Sequence, residues 1–379
     1  MSELIEYKCP ACGGALEFDS TLQKMKCPFC DSVFEMEELT QKDEELDKPQ
    51  NEAQEENSSE EAQNGNMLVY VCKSCGGEII GDSTTAATSC PYCGNPVVMA
   101  GQFSGSLKPD YIIPFKLDKK AAKEKYLEHI KGKRLLPKLF KDENHIDDIK
   151  GVYVPFWVFD SEIEAKATFE AENVRRWSDN NFNYTETSTY ELHRAGSMKF
   201  RGIPIDGSTK MDDDLMESIE PFNFDDAVPF QSAYLAGYFA DKYDVDEKAS
   251  EPRANTRIVR SAMNILKGSA DDGQYAVVKD IDSSVLNLAS GSLFGREGGQ
   301  DSEGGSFKIE NGTVKYALYP VWLLSTSYKG GKYTFAMNGQ TGKFVGDLPV
   351  DKGAKNKLFA GIFAGVTAAA TALIYLLLG

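Results

Sequence analysis

The sequence lacks the marks of a secreted protein and of a typical nucleic-acid-binding protein. Its first ten residues, MSELIEYKCP, contain no basic stretch followed by an apolar run, so we expect no secretory signal peptide. Cations are scarce: 41 Lys and Arg stand against 58 Asp and Glu, giving a formal net charge of -17. Proteins that bind nucleic acid normally present a basic face to phosphate, so direct binding to DNA or RNA is disfavoured.

Recognisable catalytic motifs are also missing. The chain has three histidines, His129, His145 and His193, and none belongs to a triad or metal-binding pattern. No glycine-rich phosphate loop, nucleophile elbow or HExxH motif occurs. We therefore expect a protein that is not an enzyme.

Cysteine is abundant in the first quarter of the chain and absent after it. The eight cysteines form four Cys-x2-Cys pairs, and two pairs separated by 14 residues make one set. The second set repeats the first 63 residues later, which indicates a tandem repeat of one module. The two sets are Cys9, Cys12, Cys27, Cys30 and Cys72, Cys75, Cys90, Cys93.

This spacing is typical of zinc ribbons, in which two turns place four thiolates around one Zn²⁺. Gly13, Gly76 and Gly94 follow the second cysteine of their turns and permit the positive φ that aims N–H groups at sulfur, whereas Asp31 replaces glycine in the remaining turn. We expect two Zn²⁺ ions, one per ribbon. A disulfide framework and a rubredoxin-like iron site are the alternatives, and a reducing compartment disfavours the first.

We expect the ribbons to occupy residues 1–36 and 67–101. A module of this size buries little apolar surface, so the metal should supply its folding energy. Residues 1–36 carry three Lys against six acids, and residues 67–101 carry one Lys against two acids. Since each Zn(Cys)₄ centre adds a formal charge of about -2, nucleic acid is an unlikely partner, and a structural or protein-binding role is favoured.

An acidic segment joins the ribbons. Residues 37–66 contain eleven acids, two Lys and almost no apolar residue, a composition typical of disordered chain. It serves either as a plain tether or as an acidic docking strip for a basic partner.

A mixed α+β domain with antiparallel sheet is predicted over residues 108–350. Helices are expected near 117–133, with Asp118 as the N-cap, at 211–219, and near 246–268, where Ser250, Glu251 and Pro252 are start signals. Residues 151–177 are predicted to form a long strand pair that the segment 184–206 continues. Hairpin turns are expected at Lys329–Gly331 and Asn338–Gly339.

Two strand segments of this domain resemble each other. Pro155 and Trp157 in VYVPFWVF match Pro320 and Trp322 in ALYPVWLL. The similarity leaves a duplicated sheet unit open, and each proline predicts an edge strand or a bulge.

Two charged clusters are weaker candidates for sites. Asp212, Asp213 and Asp214 either bind a divalent cation or simply begin a helix. Arg253, Arg257 and Arg260 lie along one face of a predicted helix, where they form surface salt bridges or meet acidic partners or lipid headgroups.

The C-terminal residues 358–378 predict a transmembrane helix. They contain no charge, and 21 residues span about 31 Å at a rise of 1.5 Å per residue. Lys352, Lys355 and Lys357 precede them, which predicts a tail-anchored protein of the cell membrane with a cytoplasmic body. A buried core helix is the alternative.

The tail also carries closely spaced small residues. Gly361 and Gly365 form a GxxxG motif, and Ala360, Ala364, Ala368 and Ala372 recur every fourth residue. Such spacing permits association with another helix in lipid, or it merely reflects an alanine-rich span.

With the strings VPFWVFD, PFNFDDAVPFQSAYLAGYFADKYDV, YPVWLL and YTFAMNGQTGK beside the ribbons, the chain resembles bacterial membrane-anchored TFIIB-type zinc-ribbon proteins. These are also likened to the primosomal helicase replication factor Y, although no Walker loop occurs here. The resemblance implies the eight cysteines as metal ligands and partners among SPFH-type and phage-shock-type membrane-stress proteins.

These features together predict a membrane-tethered zinc-binding scaffold that recruits cytosolic proteins. The alternative is a zinc-ribbon protein of transcription or replication that binds nucleic acid.

Overall fold

A long, mostly antiparallel sheet organises the described part of the chain. The computed structural model describes residues 4–36, 38, 67–99, 102, 107–270, 277–280 and 305–378. The predicted acidic linker at 37–66 lies outside these residues, apart from Glu38.

Seventeen strands occur among the described residues. In chain order they are β1 (Leu4–Ile5), β2 (Glu17–Asp19), β3 (Lys24–Lys26), β4 (Val33–Phe34), β5 (Met67–Val71), β6 (Glu78–Asp82), β7 (Thr85–Ser89), β8 (Pro96–Met99), β9 (Tyr111–Ile112), β10 (Lys150–Ser178), β11 (Asn183–Asp206), β12 (Val228–Pro229), β13 (Phe239–Asp241), β14 (Val277–Asp280), β15 (Gly305–Tyr328), β16 (Gly331–Asn338) and β17 (Phe344–Gly346).

The α-helices are α1 (Lys119–Ile130), α2 (Glu143–Ile146), α3 (Asp213–Ser218), α4 (Glu247–Ala270) and α5 (Lys352–Leu378). Asp118 caps α1 as predicted, because its carboxylate accepts the N–H of Ala121 at 2.8 Å. Helix α4 begins earlier than its predicted start signals: Asp246 accepts the N–H of Ala249 at 2.8 Å, and Pro252 lies inside the helix.

The central sheet joins the ribbons to the α+β body. Its path runs β1-β8-β7-β13-β10-β15-β16-β17, so strands from both cysteine-rich modules extend the sheet of the body. β2, β3 and β4 form a small three-stranded sheet in the first ribbon, and β5 pairs with β6 in the second.

The segment 151–177, predicted as a strand pair, lies within the single strand β10, whose longest pairings are with β15 and β11. Its residues 152–159 are all buried, and from Ser161 to Ala171 buried side chains alternate with more exposed ones. Helix α4 covers one face of this sheet, where Ile258, Ala262 and Leu266 pack with Ile163 and Phe169.

Pro155 and Pro320 lie in inner strands, which corrects the prediction of an edge strand or bulge. On the side of β10 away from β15, β13 pairs at Val152 and Tyr153, and β11 takes over at Phe156. On β15, β9 pairs up to Leu318 and β16 begins at Val321. Each proline therefore lies between the end of one partner strand and the start of the next. No neighbouring strand needs a backbone N–H donor at that position, so proline is tolerated there.

The surroundings of the two prolines match. The carbonyl of Pro155 accepts the N–H of Gly207 at 2.8 Å, and the carbonyl of Pro320 accepts the N–H of Gly339 at 2.8 Å. β10 and β15 pair antiparallel so that Val154 lies opposite Tyr319. A local two-fold relation therefore passes through that pair.

The same relation extends to the helices. The indole N–H of Trp157 donates to the carbonyl of Val245 at 2.8 Å, just before α4, and that of Trp322 donates to Leu117 at 3.0 Å, just before α1. In chain order α1 precedes β10 and α4 precedes β15. β10 therefore binds the segment before α4, and β15 binds the segment before α1.

Helix α5 extends from this body with an exposed apolar surface. Among the described residues it is the one helix long and apolar enough to cross a membrane. The large apolar side chains exposed on it are Leu358, Phe359, Ile362, Phe363, Val366, Leu373, Tyr375 and Leu376.

Candidate metal centres and surrounding surfaces

The structure brings the eight predicted cysteines into two clusters of four. In the first ribbon, the sulfurs of Cys9 and Cys30 are 3.6 Å apart and those of Cys12 and Cys27 are 3.5 Å apart. All four Sγ atoms lie within 4.8 Å of one another. In each pair one cysteine is buried and the other exposed, so the centre lies at the ribbon surface.

The second ribbon repeats this geometry. The sulfurs of Cys72 and Cys93 are 3.8 Å apart, and those of Cys75 and Cys90 are 3.7 Å apart. A tetrahedron with metal–sulfur bonds of about 2.3 Å has edges of about 3.8 Å. Disulfides require about 2.05 Å. Both clusters therefore fit a single tetrahedral metal ion and exclude the disulfide framework.

The backbone of the four turns has the conformation that the glycines predicted. Gly13, Gly76 and Gly94 each have φ of 75°, and Asp31 adopts φ of 56° at the equivalent position. Aspartate tolerates this region better than most residues. Its carboxylate also lies 3.1 Å from the ammonium of Lys26.

Donors converge on the sulfurs. The N–H of Gly77 lies 3.4 Å from the sulfur of Cys75. The Ser32 hydroxyl, with Oγ at 3.2 Å, and the Ser32 N–H lower the pKa of Cys30 to about 6. Burial opposes ionisation of Cys90, but the N–H groups of Cys93 and Tyr92 outweigh it and lower the pKa of that thiol to about 7. In each cluster these donors favour the thiolate form of one cysteine.

Glu6 joins the two ribbons and was not anticipated from the sequence. It is 7% exposed, and its carboxylate accepts a hydrogen bond from Ser74 Oγ at 2.6 Å. The sulfur of Cys72 lies 3.7 Å from the same carboxylate. β1, just before Glu6, pairs with β8. The first ribbon thus contributes a strand and a carboxylate to the second.

The first ribbon packs directly on the α+β body. The N–H of Phe18 donates to Ala236 at 2.9 Å, and its ring meets that of Tyr234 at 5.0 Å. Gln23 Nε2 donates to the carbonyl of Phe115 at 2.7 Å. Tyr7 bonds Ser232 through their hydroxyls.

The second ribbon is held to the body by strand pairing and charge. β7 pairs with β13. Lys210 of the body lies 2.8 Å from Asp82 of the ribbon and 2.8 Å from Asp241. Both metal centres are therefore built into one folded unit with the body.

Each ribbon presents one exposed aromatic ring at the same place in the repeat. Phe29 is 72% exposed and Tyr92 is 71% exposed. A Cβ on Gly14 would collide with the ring of Phe29, and one on Gly77 with that of Tyr92. The glycine after the positive-φ position in the first turn of each ribbon thus makes room for the ring.

The three histidines are dispersed. The ring of His129 packs at a tilt against that of Phe344 with centroids 4.8 Å apart, and burial and Lys133 lower the pKa of His129. His145 bonds Thr326, and His193 lies exposed 3.5 Å from Glu191.

The aspartate cluster begins a helix. Asp212 caps α3 by accepting the N–H of Leu215 at 2.9 Å, and Asp213 lies 3.0 Å from Arg253. Among the described residues, the groups arranged to hold a metal are the two cysteine sets.

The salt-bridge interpretation of the arginine stripe is confirmed for two members. Arg253 lies 3.0 Å from the buried carboxylate of Asp206, and burial raises the pKa of Asp206 to about 6. Arg257 pairs with Glu220 through two bonds of 2.9 and 2.6 Å. Arg260 is exposed.

A cleft of about 460 Å³ is lined partly by the first ribbon and partly by the body. Glu17, whose pKa burial raises, faces it from the ribbon. Lys119, Asp148 and Lys150 face it from the body. The charges are mixed and distributed along the cleft, and no further group identifies a ligand.

The hairpin β10–β11 projects beyond the rest of the sheet. β14 pairs with β10 as far as Glu172, and from residue 173 to 188 β10 and β11 pair only with each other among the residues that the structure describes. No residue of this segment, here called the arm, is buried. At its tip Trp177 stacks on Tyr184 at 5.6 Å, Arg175 lies 5.4 Å from the Trp177 ring, and Phe182 is 65% exposed.

Comparison with known proteins identifies a relative that is matched over nearly its whole length. The chain is 32% identical over 362 residues to uncharacterized protein YdjG of Bacillus subtilis (strain 168), covering 83% of this chain and 99% of the relative. No protein-family profile matches the chain. No solved structure shows a significant match to it. The extent and identity of the first match show that the chain belongs to the same family as uncharacterized protein YdjG.

Proposed function

We propose that this protein is a membrane-tethered, zinc-binding adaptor that recruits cytosolic proteins to the cell membrane. The observation that carries the proposal is α5, whose large apolar side chains are exposed along its length and attached to a folded body. Exposing such an apolar surface to water is unfavourable and favours aggregation. Placing the helix in the hydrocarbon core of a bilayer removes this cost. In this proposal α5 crosses the membrane once and the body stays cytoplasmic, next to Lys352, Lys355 and Lys357.

Zinc is the metal we propose for both centres. Four thiolates in a tetrahedron, with sulfur separations of 3.5 to 3.8 Å, suit Zn²⁺. N–H groups directed at the sulfurs stabilise the thiolate form. Bound zinc would supply folding energy, and the cysteines would hold the turns that shape each ribbon.

A binding role rather than catalysis is supported by how the body uses its charges. Arg253, Arg257 and Lys210 pair with carboxylates that tie one element to another. These ion pairs position α4 and the second ribbon. The proposed activity therefore resides in surfaces, with protein partners that include SPFH-type or phage-shock-type membrane proteins.

The arm is the surface we propose for protein capture. Aromatic and arginine side chains concentrate binding energy at protein interfaces. The tip carries Trp177, Phe182 and Tyr184 with Arg175 and Arg176, all exposed. Phe29 and Tyr92 give the ribbons two further contact points. Gly361 and Gly365 on α5 would allow the helix to associate with another in the bilayer.

The decisive experiment compares the full chain with residues 1–351 in the native host. Tagged protein is fractionated, membranes are washed with alkaline carbonate, and partners captured in mild detergent are identified by mass spectrometry. We expect the full chain to resist the wash, 1–351 to appear in the supernatant, and zinc to be present at about two ions per chain by elemental analysis.

The partner set is then compared with that of an arm-shortened protein in which residues 174–187 are replaced by an Asn-Gly turn. Recruitment predicts that specific cytosolic proteins are lost from this variant. Full-length protein in the cytosolic supernatant, or a partner set common to every variant and to a tag-only control, would refute the adaptor role.

A further inference from the structure

The segment 131–141 is unusual in this acidic chain. Its sequence, KGKRLLPKLFK, contains five basic residues and no acid, in a protein of net charge -17. Lys131, Lys133, Arg134, Lys138 and Lys141 are all exposed. Such a run of like charge has no counter-ion within its own stretch of chain.

The fold attaches this segment to the first turn of α5. The N–H of Asp351 donates to the carbonyl of Leu135 at 2.8 Å. The Asp351 carboxylate caps α5 by accepting the N–H groups of Gly353 at 2.8 Å and Ala354 at 3.1 Å. This bond places Leu135, near the middle of the basic segment, against the residue that precedes Lys352, the first of the three lysines in α5.

The β15–β16 hairpin also lies close to the start of α5. The ring of Phe140 packs against Tyr328 and Tyr333 of the β15–β16 hairpin, with centroids 5.8 Å apart in each case. The N–H groups of Ala354 and Gly353, together with Lys329 and Lys357, hold the pKa of Asp351 below its usual range. Lys329, exposed at the hairpin turn, therefore faces the start of α5.

Nine cations thus belong to three separate parts of the chain that meet at the start of an apolar helix. We call them the basic collar: Lys131, Lys133, Arg134, Lys138, Lys141, Lys329, Lys352, Lys355 and Lys357. Leu139, 40% exposed, adds an apolar side chain between two of them. Lysine and arginine with interspersed leucine are typical of surfaces that rest on a membrane.

We propose that the basic collar binds the headgroups of anionic phospholipids in the bilayer that α5 crosses. The inference rests on the membrane tether proposed above and adds the lipid class and the orientation of the body. Residues 358–378 fill the hydrocarbon layer, so the collar lies at headgroup depth. Each basic residue there favours an anionic surface by about fivefold. In this orientation the α1–α2 connection and the β15–β16 turn of the body contact the membrane surface.

The orientation directs the arm away from this contact. β10 starts at Lys150, opposite Leu323 near the collar end of β15, and runs 29 residues to Ser178. At about 3.3 Å per residue this strand covers up to roughly 90 Å. The collar and the arm therefore occupy opposite ends of the longest strand.

The test measures the accessibility of individual lysines in the full-length protein. Protein is reconstituted in nanodiscs of phosphatidylcholine alone or with 30% phosphatidylglycerol (a chosen composition of about one anionic lipid in three), and amines are acetylated for mass spectrometry. We expect Lys131, Lys133, Lys138, Lys141 and Lys329 to react about fivefold more slowly in the anionic discs. High salt should abolish the difference. Lys166, Lys199 and Lys308 serve as internal controls.

Two variants sharpen the result. Replacing Lys131, Lys133, Arg134, Lys138 and Lys141 with Gln should reduce the lipid-dependent protection of Lys329. A matched variant with Lys166, Arg175, Arg176, Lys199 and Lys308 replaced by Gln should keep it. Both variants retain α5 and should stay in the discs. If the membrane tether is wrong, wild-type protein will be found outside the discs. If only the collar is wrong, the protein will be in the discs but its lysines will show no lipid-dependent protection.

Equal acetylation in both kinds of disc would overturn the proposal, as would protection confined to Lys352, Lys355 and Lys357. Protection already present without anionic lipid, and lost when the acidic residues 39–63 are deleted, would show that this chain's own acidic segment occupies the collar, and would overturn it as well.

Discussion

At the scale of single residues, Gly13 carries the conformational requirement of the first metal turn. Its φ of 75° is strained for a residue with a Cβ, although the space around it is open. We expect Gly13→Ala to reduce the free energy of unfolding by on the order of 1 kcal/mol. Gly268 in α4, which also has open space, is the control, since Gly268→Ala should stabilise the helix by about 0.5–1 kcal/mol.

Thermal unfolding of both variants with zinc bound measures the difference. The two substitutions add the same methyl group, so shifts of opposite sign identify backbone conformation as the cause. Shifts of the same sign and size would contradict it.

Asp206 should make stability depend on pH. Burial raises its pKa to about 6, so the folded state binds this proton more tightly than the unfolded state does. The resulting stabilisation is fully present below the ordinary pKa of about 3.9 and is lost as the pH rises through about 6. We expect Asp206→Asn to remove a pH-dependent contribution on the order of 2 kcal/mol between these limits.

Urea unfolding of wild type and variant from pH 4 to 7, compared as a difference at each pH, tests this linkage. The comparison variant is Asp213→Asn, which removes an exposed carboxylate that also raises the pKa of Asp206 and should therefore weaken the pH dependence without abolishing it. If the difference between Asp206→Asn and wild type stays constant across this range, the linkage is wrong.

At the scale of elements, the arm is separate from the stability of the body. Its residues are unburied, and Asn173 and Ser188 lie directly opposite each other at its base. Joining these two residues through an Asn-Gly turn should leave a regular hairpin. We therefore expect replacement of residues 174–187 to change the melting temperature by less than roughly 2 °C.

Differential scanning fluorimetry on purified full-length protein provides the measurement. A shortened version of the buried part of the hairpin, lacking residues 165–171 and their partners, should unfold because it removes the surface under α4. A large loss of stability on shortening the arm alone would show that it packs on the body.

At the scale of the whole molecule, the ribbons and the body should unfold together. β1, β7 and β8 belong to the main sheet, and Phe18 packs on Tyr234 of the body. The three tryptophans, Trp157, Trp177 and Trp322, all lie in the body and report its unfolding without a signal from the ribbons. We expect removal of the metal with a chelator to lower the tryptophan-detected melting temperature by roughly 5–10 °C.

Zinc addition should restore the original value. Cys12→Ser and Cys75→Ser each remove one exposed ligand and should each produce part of the shift. An unchanged tryptophan transition after both metals are lost would mean that the ribbons fold independently of the body.

The two cysteine clusters, the cap of α1 and the apolar tail could be predicted because local spacing and composition decide them. Four Cys-x2-Cys pairs determine which thiols share a turn, and an uncharged run of 21 residues determines the apolar character of α5. The cap at Asp118 likewise depends on residues within one helical turn.

Only the tertiary structure decided which distant residues meet. Pro155 and Pro320 occupy inner strands because neighbouring strands leave gaps at those positions. Glu6 reaches Ser74 because β1 joins the second ribbon, and Lys131–Lys141 reaches α5 through a bond between Leu135 and Asp351. These contacts join residues 68 to 216 positions apart. Local periodicity carries no information about such pairs, since packing of the whole sheet selects them.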